Sequence, residues 1–286
     1  MAQVAATDPQ ATANRPVRAV RAVNCSITMP DRPLGRRLAL VKQAGIEAVE
    51  FWWPFAEASP APAEVEDFAR QIERSGLKLI GLNLFAGDMA SGDRGVLSWP
   101  GRQSELAASA EIAQALSARL GVGRFNVLYG NRLEGHSPAA QDAIAQTNLA
   151  DLAARFASSG GLLMIEPVSA APGYPIKTAV EAAAVVDRAM APGGADNIGV
   201  LLDLYHLAAN GDDVAAAIAR FGATAAHVQV ADLPGRGWPG SGKLPLAAWL
   251  GQLGRTGYGG YVALECLSAD DDQTLLNKLR KWKEFE

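Results

Sequence analysis

Two short stretches decide how this chain reads: Leu162-Leu163-Met164-Ile165-Glu166 and Gly199-Val200-Leu201-Leu202-Asp203. Each is an unbroken apolar run closed by an acid. Unbroken apolarity marks a strand buried on both faces, as in parallel sheets covered by helices. An acid at the end of such a strand sits where a charge without a partner costs several kcal/mol, roughly the penalty for a buried ion. Fold and site are therefore written into the same residues.

Outward from these runs, β-rich segments alternate with Ala-rich helical patterns from Arg21 onward. Strands are expected at 22–27, 48–53, 78–85, 124–129, 162–168, 199–204, 226–231 and 260–266. Helices are expected near 32–44, 62–75, 102–120, 138–159, 176–190, 211–221, 245–254 and 271–284. Gly45, Gly76, Gly121, Gly160 and Gly257 follow helical patterns, where a left-handed residue commonly ends the last turn. Pro62 and Pro138 fall where a first helical turn accepts proline. Eight strand–helix units give an α/β fold, a single-domain (β/α)8 TIM barrel over residues 21–286. A doubly wound open sheet would alternate in the same way, but the chain has no early phosphate-binding loop, which favours closure. Residues 1–20 are expected to form a disordered N-terminal tail.

The bulk properties narrow the function classes. The chain has 286 residues, enough for a barrel of about 250. A formal net charge of −4 offers no basic footprint for nucleic acid and no polybasic patch for a membrane surface. No apolar run approaches the roughly 18 residues of a membrane span, and the first 17 residues lack the apolar stretch of a secretory signal. Cys25 and Cys266 form no C-x-x-C pair, which suits a reducing, cytoplasmic setting. The sequence is compatible with a homo-oligomer.

Two further strands end on polar groups: Gln229 within Ala226-His227-Val228-Gln229-Val230, and Glu265 within Val262-Ala263-Leu264-Glu265-Cys266. In a barrel, Glu166, Asp203, Gln229 and Glu265 would converge at the C-terminal mouth. Three clustered carboxylates repel unless a cation or proton intervenes. A divalent metal answers this, and an all-oxygen donor set suits Mg2+ or Mn2+. The alternative is that each acid is met separately by an arginine, a backbone N–H or water. His206, three residues after Asp203, is read as a substrate contact. His227 alternates with Gln229 and is read as core packing, and His136 carries no signal. The long loops after strands 3 and 7 leave from the mouth. The second, residues 233–242, matches G-x-G-x-x-G and approximates a P-loop. Pro239 and Leu244 contradict both motifs, and Asn24-Cys25-Ser26 is a glycosylation sequon in an unsuitable setting.

Several motifs resemble the hydroxypyruvate isomerase family, within the xylose-isomerase-like barrel superfamily. They are Asn24-Cys25-Ser26, Ala48-Val49-Glu50-Phe51, Gly87-Asp88, Pro100-Gly101-Arg102, Ile165-Glu166, Leu202-Asp203-x-x-His206, His227-Val228-Gln229-Val230-Ala231-x-Leu233-Pro234-x-Arg236 and Gly257-Tyr258-x-Gly260. The likeness runs from about Val23 to Glu265. Ketose 3-epimerases on related barrels carry histidine where this chain has Gln229. Cys266-Leu267-Ser268 and residues 167–174 depart from the family pattern.

The resemblance implies a metal held by Glu166, Asp203, Gln229 and Glu265, with Glu166 and Glu265 also catalytic in proton transfer. It implies interconversion of hydroxypyruvate and tartronate semialdehyde (2-hydroxy-3-oxopropanoate), or of a 2-oxo-tetronate, through an enediolate. The partner is then a small hydroxy-carbonyl acid or sugar. Arg236 is expected to fork a substrate carboxylate and Asn83 to add a polar contact. Trp52, Trp53, Phe85 and Trp238 are candidates for the pocket wall. A ketose 3-epimerase is the nearest alternative. A metal-dependent endonuclease would need more than the three histidines present, and a non-catalytic metabolite-binding barrel would have no use for the Glu166 and Glu265 pair.

Overall fold

The computed structural model describes residues 19–190 and 194–285. Of the expected tail, residues 1–18 lie outside the described residues. Eight parallel strands close on themselves in sequence order: β1 (Val20–Asn24), β2 (Ala48–Phe51), β3 (Lys78–Asn83), β4 (Arg124–Asn126), β5 (Leu162–Ile165), β6 (Ile198–Asp203), β7 (His227–Val230) and β8 (Tyr261–Leu264). Pairing of Ala22 with Ala263 and Val23 with Leu264 joins β1 to β8 and leaves no open edge. The fold is a TIM barrel.

Among the described residues, eight helices clothe it: Leu34–Gln43, Pro62–Ser75, Gln103–Leu120, Pro138–Ala157, Ala179–Ala189, Val214–Phe221, Leu246–Arg255 and Asp272–Glu284. Their ends follow local chemistry. Ser137 accepts the N–H of Ala140 ahead of Pro138, and Thr178 with Glu181 forms a reciprocal capping box. Gly121 ends its helix in the left-handed region at φ 74°, where a side chain would be strained.

Most strands stop sooner than expected. β5 ends at Ile165 rather than 168, β4 at Asn126 rather than 129, and β1 starts at Val20 and ends at Asn24 rather than running 22–27. At Asn24 the side chain accepts the N–H of Ser26 and caps a single turn, Cys25–Thr28. The early stops leave the polar residues at the rim, where ladder pairing gives way to loops.

The strand period of two sets the depth of the site. Directly below Asn24, Glu50, Glu166, Asp203, Gln229 and Glu265 stand Ala22, Ala48, Met164, Leu201, His227 and Ala263. Of these six, Ala22, Ala48 and Ala263 pack with Ile80, and Met164 and Leu201 pack with Ala226. A plug of mostly apolar side chains therefore floors the polar layer.

Candidate active site

Glu166, Asp203, Gln229 and Glu265 are all at most 5% exposed at the C-terminal mouth. Asp203 splits its two oxygens between tasks. Oδ1 accepts the N–H groups of Tyr205 (2.8 Å) and His206 (3.1 Å), starting the short helix Leu204–Ala209. Oδ2 faces Nε2 of His206 at 3.6 Å, which lies 3.9 Å from Oε1 of Glu166. Ligand atoms of Glu166, Asp203 and His206 all fall within 4.8 Å of one another. Glu265 stands outside that tightest group, its Oε1 held by Nε1 of Trp52 (2.8 Å) and Nη2 of Arg236 (3.0 Å).

Burial dominates the ionisation of this cluster. It pushes Glu166 well above the ordinary carboxylate range, with Glu265 and Asp203 adding repulsion and the Asn126 bond opposing. Burial also pushes Glu265 up to about 8, against the pull of Arg236.

In the same layer stands Glu50, whose contacts reach down to His227. Its Oε1 accepts from Nδ2 of Asn24 (3.2 Å) and Nε2 of Gln229 (2.6 Å), and its Oε2 meets Nε2 of His227 at 2.6 Å. Because Glu50 is an acceptor, it turns the Gln229 amide so that nitrogen faces it. Oε1 of Gln229 is then buried with no hydrogen-bond partner, as is Oε2 of Glu265. Orphaned buried oxygens beside three carboxylates are what a hard cation satisfies. Glu166, Asp203, Glu265 and the Gln229 carbonyl thus fit a divalent ion.

His206 fits a different duty. The Ser169 N–H donates to Nδ1 (3.0 Å), and Ser169 Oγ lies 2.7 Å from the same nitrogen. Burial pulls the imidazole down to about 4, against the pull of Asp203. A neutral ring that accepts at Nδ1 carries its proton on Nε2, the nitrogen turned toward Asp203 and Glu166.

Arg236 occupies the left-handed region, φ 57°, on the loop after β7. Its Nε donates to the Glu265 carbonyl (3.0 Å), and Nη2 reaches Glu265 Oε1 and Asp203 Oδ2 (3.4 Å). Those carboxylates outweigh its burial and raise its pKa. The loop itself is wound around Asp232, whose carboxylate accepts the N–H groups of Leu233 (2.8 Å), Leu244 (3.0 Å), Gly240 (3.0 Å) and Gly242 (2.9 Å). The N–H groups of this phosphate-loop look-alike are therefore spent on an internal carboxylate.

A cavity of about 320 Å3 opens over the acids, lined in part by Asn83, Glu166, His206, Arg236 and Glu265. That volume suits a small metabolite. Among the four candidate wall aromatics only Trp52 lines it. Trp53 bonds the Glu57 carbonyl and stacks edge-on with Phe55, Phe85 packs against the core, and Trp238 bonds Asp270. These three turn away because each finds its partner within its own loop, the core or the neighbouring loop.

His227 is buried as core packing requires, yet it is also part of the Glu50 network. Three residues outside the expected set belong to the site. Glu50 orients Gln229. Asn126 donates to Oε2 of Glu166 at 2.6 Å, and Arg94 lines the cavity from the loop after β3. An acid inside Ala48-Val49-Glu50-Phe51 is the same signal that marks Glu166. Asn126 and Arg94 give no such signal.

Residues 38–284 match the family described as xylose isomerase-like TIM barrel. A Streptomyces coelicolor protein with the provisional name hydroxypyruvate isomerase is 44% identical over 254 residues, covering 87% of this chain and 91% of that one. The hydroxypyruvate isomerase of Escherichia coli is 26% identical over 244 residues, 85% of this chain and 91% of its own. The crystal structure titled AP endonuclease, family 2, from Brucella melitensis superposes with a TM-score of 0.79 at 28% identity, covering 90% of this chain and 96% of that one. The chain belongs to the xylose isomerase-like TIM barrel family.

Proposed function

We propose that this member of the xylose isomerase-like TIM barrel family is a divalent-metal-dependent isomerase of a small 2-oxo acid, interconverting hydroxypyruvate and tartronate semialdehyde or a 2-oxo-tetronate pair. The observation that carries the reading is the pair of buried glutamates, Glu166 and Glu265, lining one small cavity from β5 and from the end of β8. Names of relatives point the same way.

Moving a carbonyl by one carbon requires loss of a weakly acidic C–H, which puts negative charge on the carbonyl oxygen, and passage of the hydroxyl proton from its own oxygen to that one. Glu166, Asp203, Glu265 and the carbonyl of Gln229 would hold Mg2+ or Mn2+. Such an ion supplies Lewis-acid stabilisation of the enediolate charge. One of the two glutamates takes the carbon-bound proton and returns it to the neighbouring carbon, while the other takes the hydroxyl proton and delivers it to the former carbonyl oxygen. Burial suits them to this, because it raises the proton affinity of both above that of an ordinary carboxylate. Nε2–H of His206 donates to a substrate oxygen, and Asn83 adds a polar contact at the wall. Trp52 and Arg236 hold Glu265 in place.

The endonuclease title of one structural relative carries little weight here. The chain has three histidines and a net charge of −4, a poor base for a multi-zinc site on a phosphate backbone. Two buried free cysteines, Cys25 and Cys266, accord with a reducing, cytoplasmic setting. Among the described residues no helix is long and apolar enough to cross a membrane.

The test is a metal-supplemented assay against hydroxypyruvate, 2-oxo-tetronates and a ketose panel. Turnover of the acids supports the reading. Turnover of ketoses without the acids replaces it with a sugar epimerase or isomerase.

A further inference from the structure

We propose that Arg94 takes the carboxylate of the substrate and so selects a 2-oxo acid over a neutral sugar, an inference that rests on the isomerase reading and names its selectivity residue. The cavity is lined by two arginines, Arg94 and Arg236. Arg236 has its charge committed to Glu265 and Asp203. Arg94 makes no ion pair with any described carboxylate. Its Nη1 alone is engaged, donating to the carbonyls of Met89 (3.0 Å) and Asp93 (2.6 Å). Nε and Nη2, the side-on edge of the guanidinium fork, have no acceptor among the described residues. That edge is the geometry a carboxylate completes with two parallel bonds.

The backbone holds this edge in place. The Arg94 carbonyl accepts from Gly130 (2.9 Å), and the Gly95 N–H donates to Ala86 (2.8 Å). Gly95 sits at φ 102°, and a Cβ there would lie 1.9 Å from the Leu128 carbonyl oxygen, so the loop passes closely over the segment after β4. One residue earlier, Oδ2 of Asp93 accepts the N–H of Asp88 at 2.8 Å. An arginine anchored at Nη1 and braced on both sides loses little freedom when it binds. Its charge also reaches His206, where it favours the neutral imidazole. Acids at one end and an uncommitted guanidinium on the wall match a substrate with a chelating hydroxy-carbonyl end and an anionic end.

The experiment is calorimetric titration of the Mg2+-supplemented full chain with two unreactive or slowly reacting probes, tartronate and the neutral ketose erythrulose. The readout is the ratio of their affinities, because a merely loosened loop lowers both. Wild type prefers tartronate. Arg94→Met lowers that preference by about 100-fold and Arg94→Lys by about 10-fold, as expected for loss of two or one charge-assisted bonds. An unchanged ratio in Arg94→Met, or a wild type with no preference for tartronate, overturns the proposal. So does loss of the preference in Arg236→Met but not in Arg94→Met. Failure of the isomerase reading shows separately, as absence of hydroxypyruvate turnover by wild type.

Discussion

The backbone N–H of Ser169 donates to Nδ1 of His206 at 3.0 Å, and this bond fixes the imidazole proton on Nε2. Ser169 follows β5 by four residues and His206 follows β6 by three, so the contact ties two neighbouring strand ends together. The next residue, Ala170, lies in the left-handed region at φ 56°. On the proposed reading, His206 serves as a hydrogen-bond donor to the substrate.

Replacing His206 with Phe therefore separates donor from ligand. We expect kcat to fall by about 100-fold, within the usual range for a positioned acid–base or donor group. Divalent-ion affinity, measured by calorimetry, should stay within about threefold. A ligand role would instead cost affinity on the order of 10- to 100-fold or more.

Gln229 predicts the opposite split. Gln229→Met removes the orphaned carbonyl oxygen and keeps the side-chain volume. Ion affinity should fall at least about 10-fold, no less than the loss on removing an outer-shell partner of a metal ligand. Competition with a fluorescent chelator measures it directly.

Glu50 should act through stability as well as through the ion. Glu50→Gln places a second amide against Gln229 and removes the charge facing His227. With three buried partners disturbed, the metal-free protein should lose about 3 kcal/mol in denaturant unfolding. A change below about 0.5 kcal/mol would mean that the Glu50 network is energetically idle.

The raised acids set the pH dependence. Burial lifts Glu265 from 4.5 to about 8 and moves Glu166 in the same direction. A folded value above the unfolded one gives stability that is complete below about 4.5 and drains as pH rises through 8. The metal-free protein should accordingly lose thermal stability across that window. Binding of Mg2+ or Mn2+ must displace those protons, so ion affinity should climb from pH 6 to 8 with measurable proton release. Titration in buffers of different ionisation enthalpy shows the protons.

The barrel is legible because its signals are redundant. Leu162–Ile165 and Ile198–Asp203 read as buried strands from apolarity alone, and glycines after helices mark the joints. Glu166, Asp203 and Glu265 are legible for one physical reason, the cost of an acid in an apolar strand. Glu50 obeys the same rule, yet only Ala48-Val49 stand before it, too short an apolar run to mark it. Asn126 and Arg94 are hidden for a different reason. A neutral amide and a loop arginine cost nothing in isolation, and their value appears only when register and loop closure bring them to the cavity. The aromatic residues show the limit of composition, since Trp52 reaches Glu265 while its neighbour Trp53 turns to its own loop.

On the proposed reading, the oxygens of Glu166, Asp203, Gln229 and Glu265 hold one divalent ion that isomerisation requires. Elemental analysis of the purified chain, paired with a hydroxypyruvate assay before and after EDTA, tests it most directly. One ion per chain, activity abolished by chelation and restored by Mg2+ or Mn2+, is the predicted result. Hydroxypyruvate turnover that is indifferent to EDTA, in protein with no bound divalent ion, would contradict it.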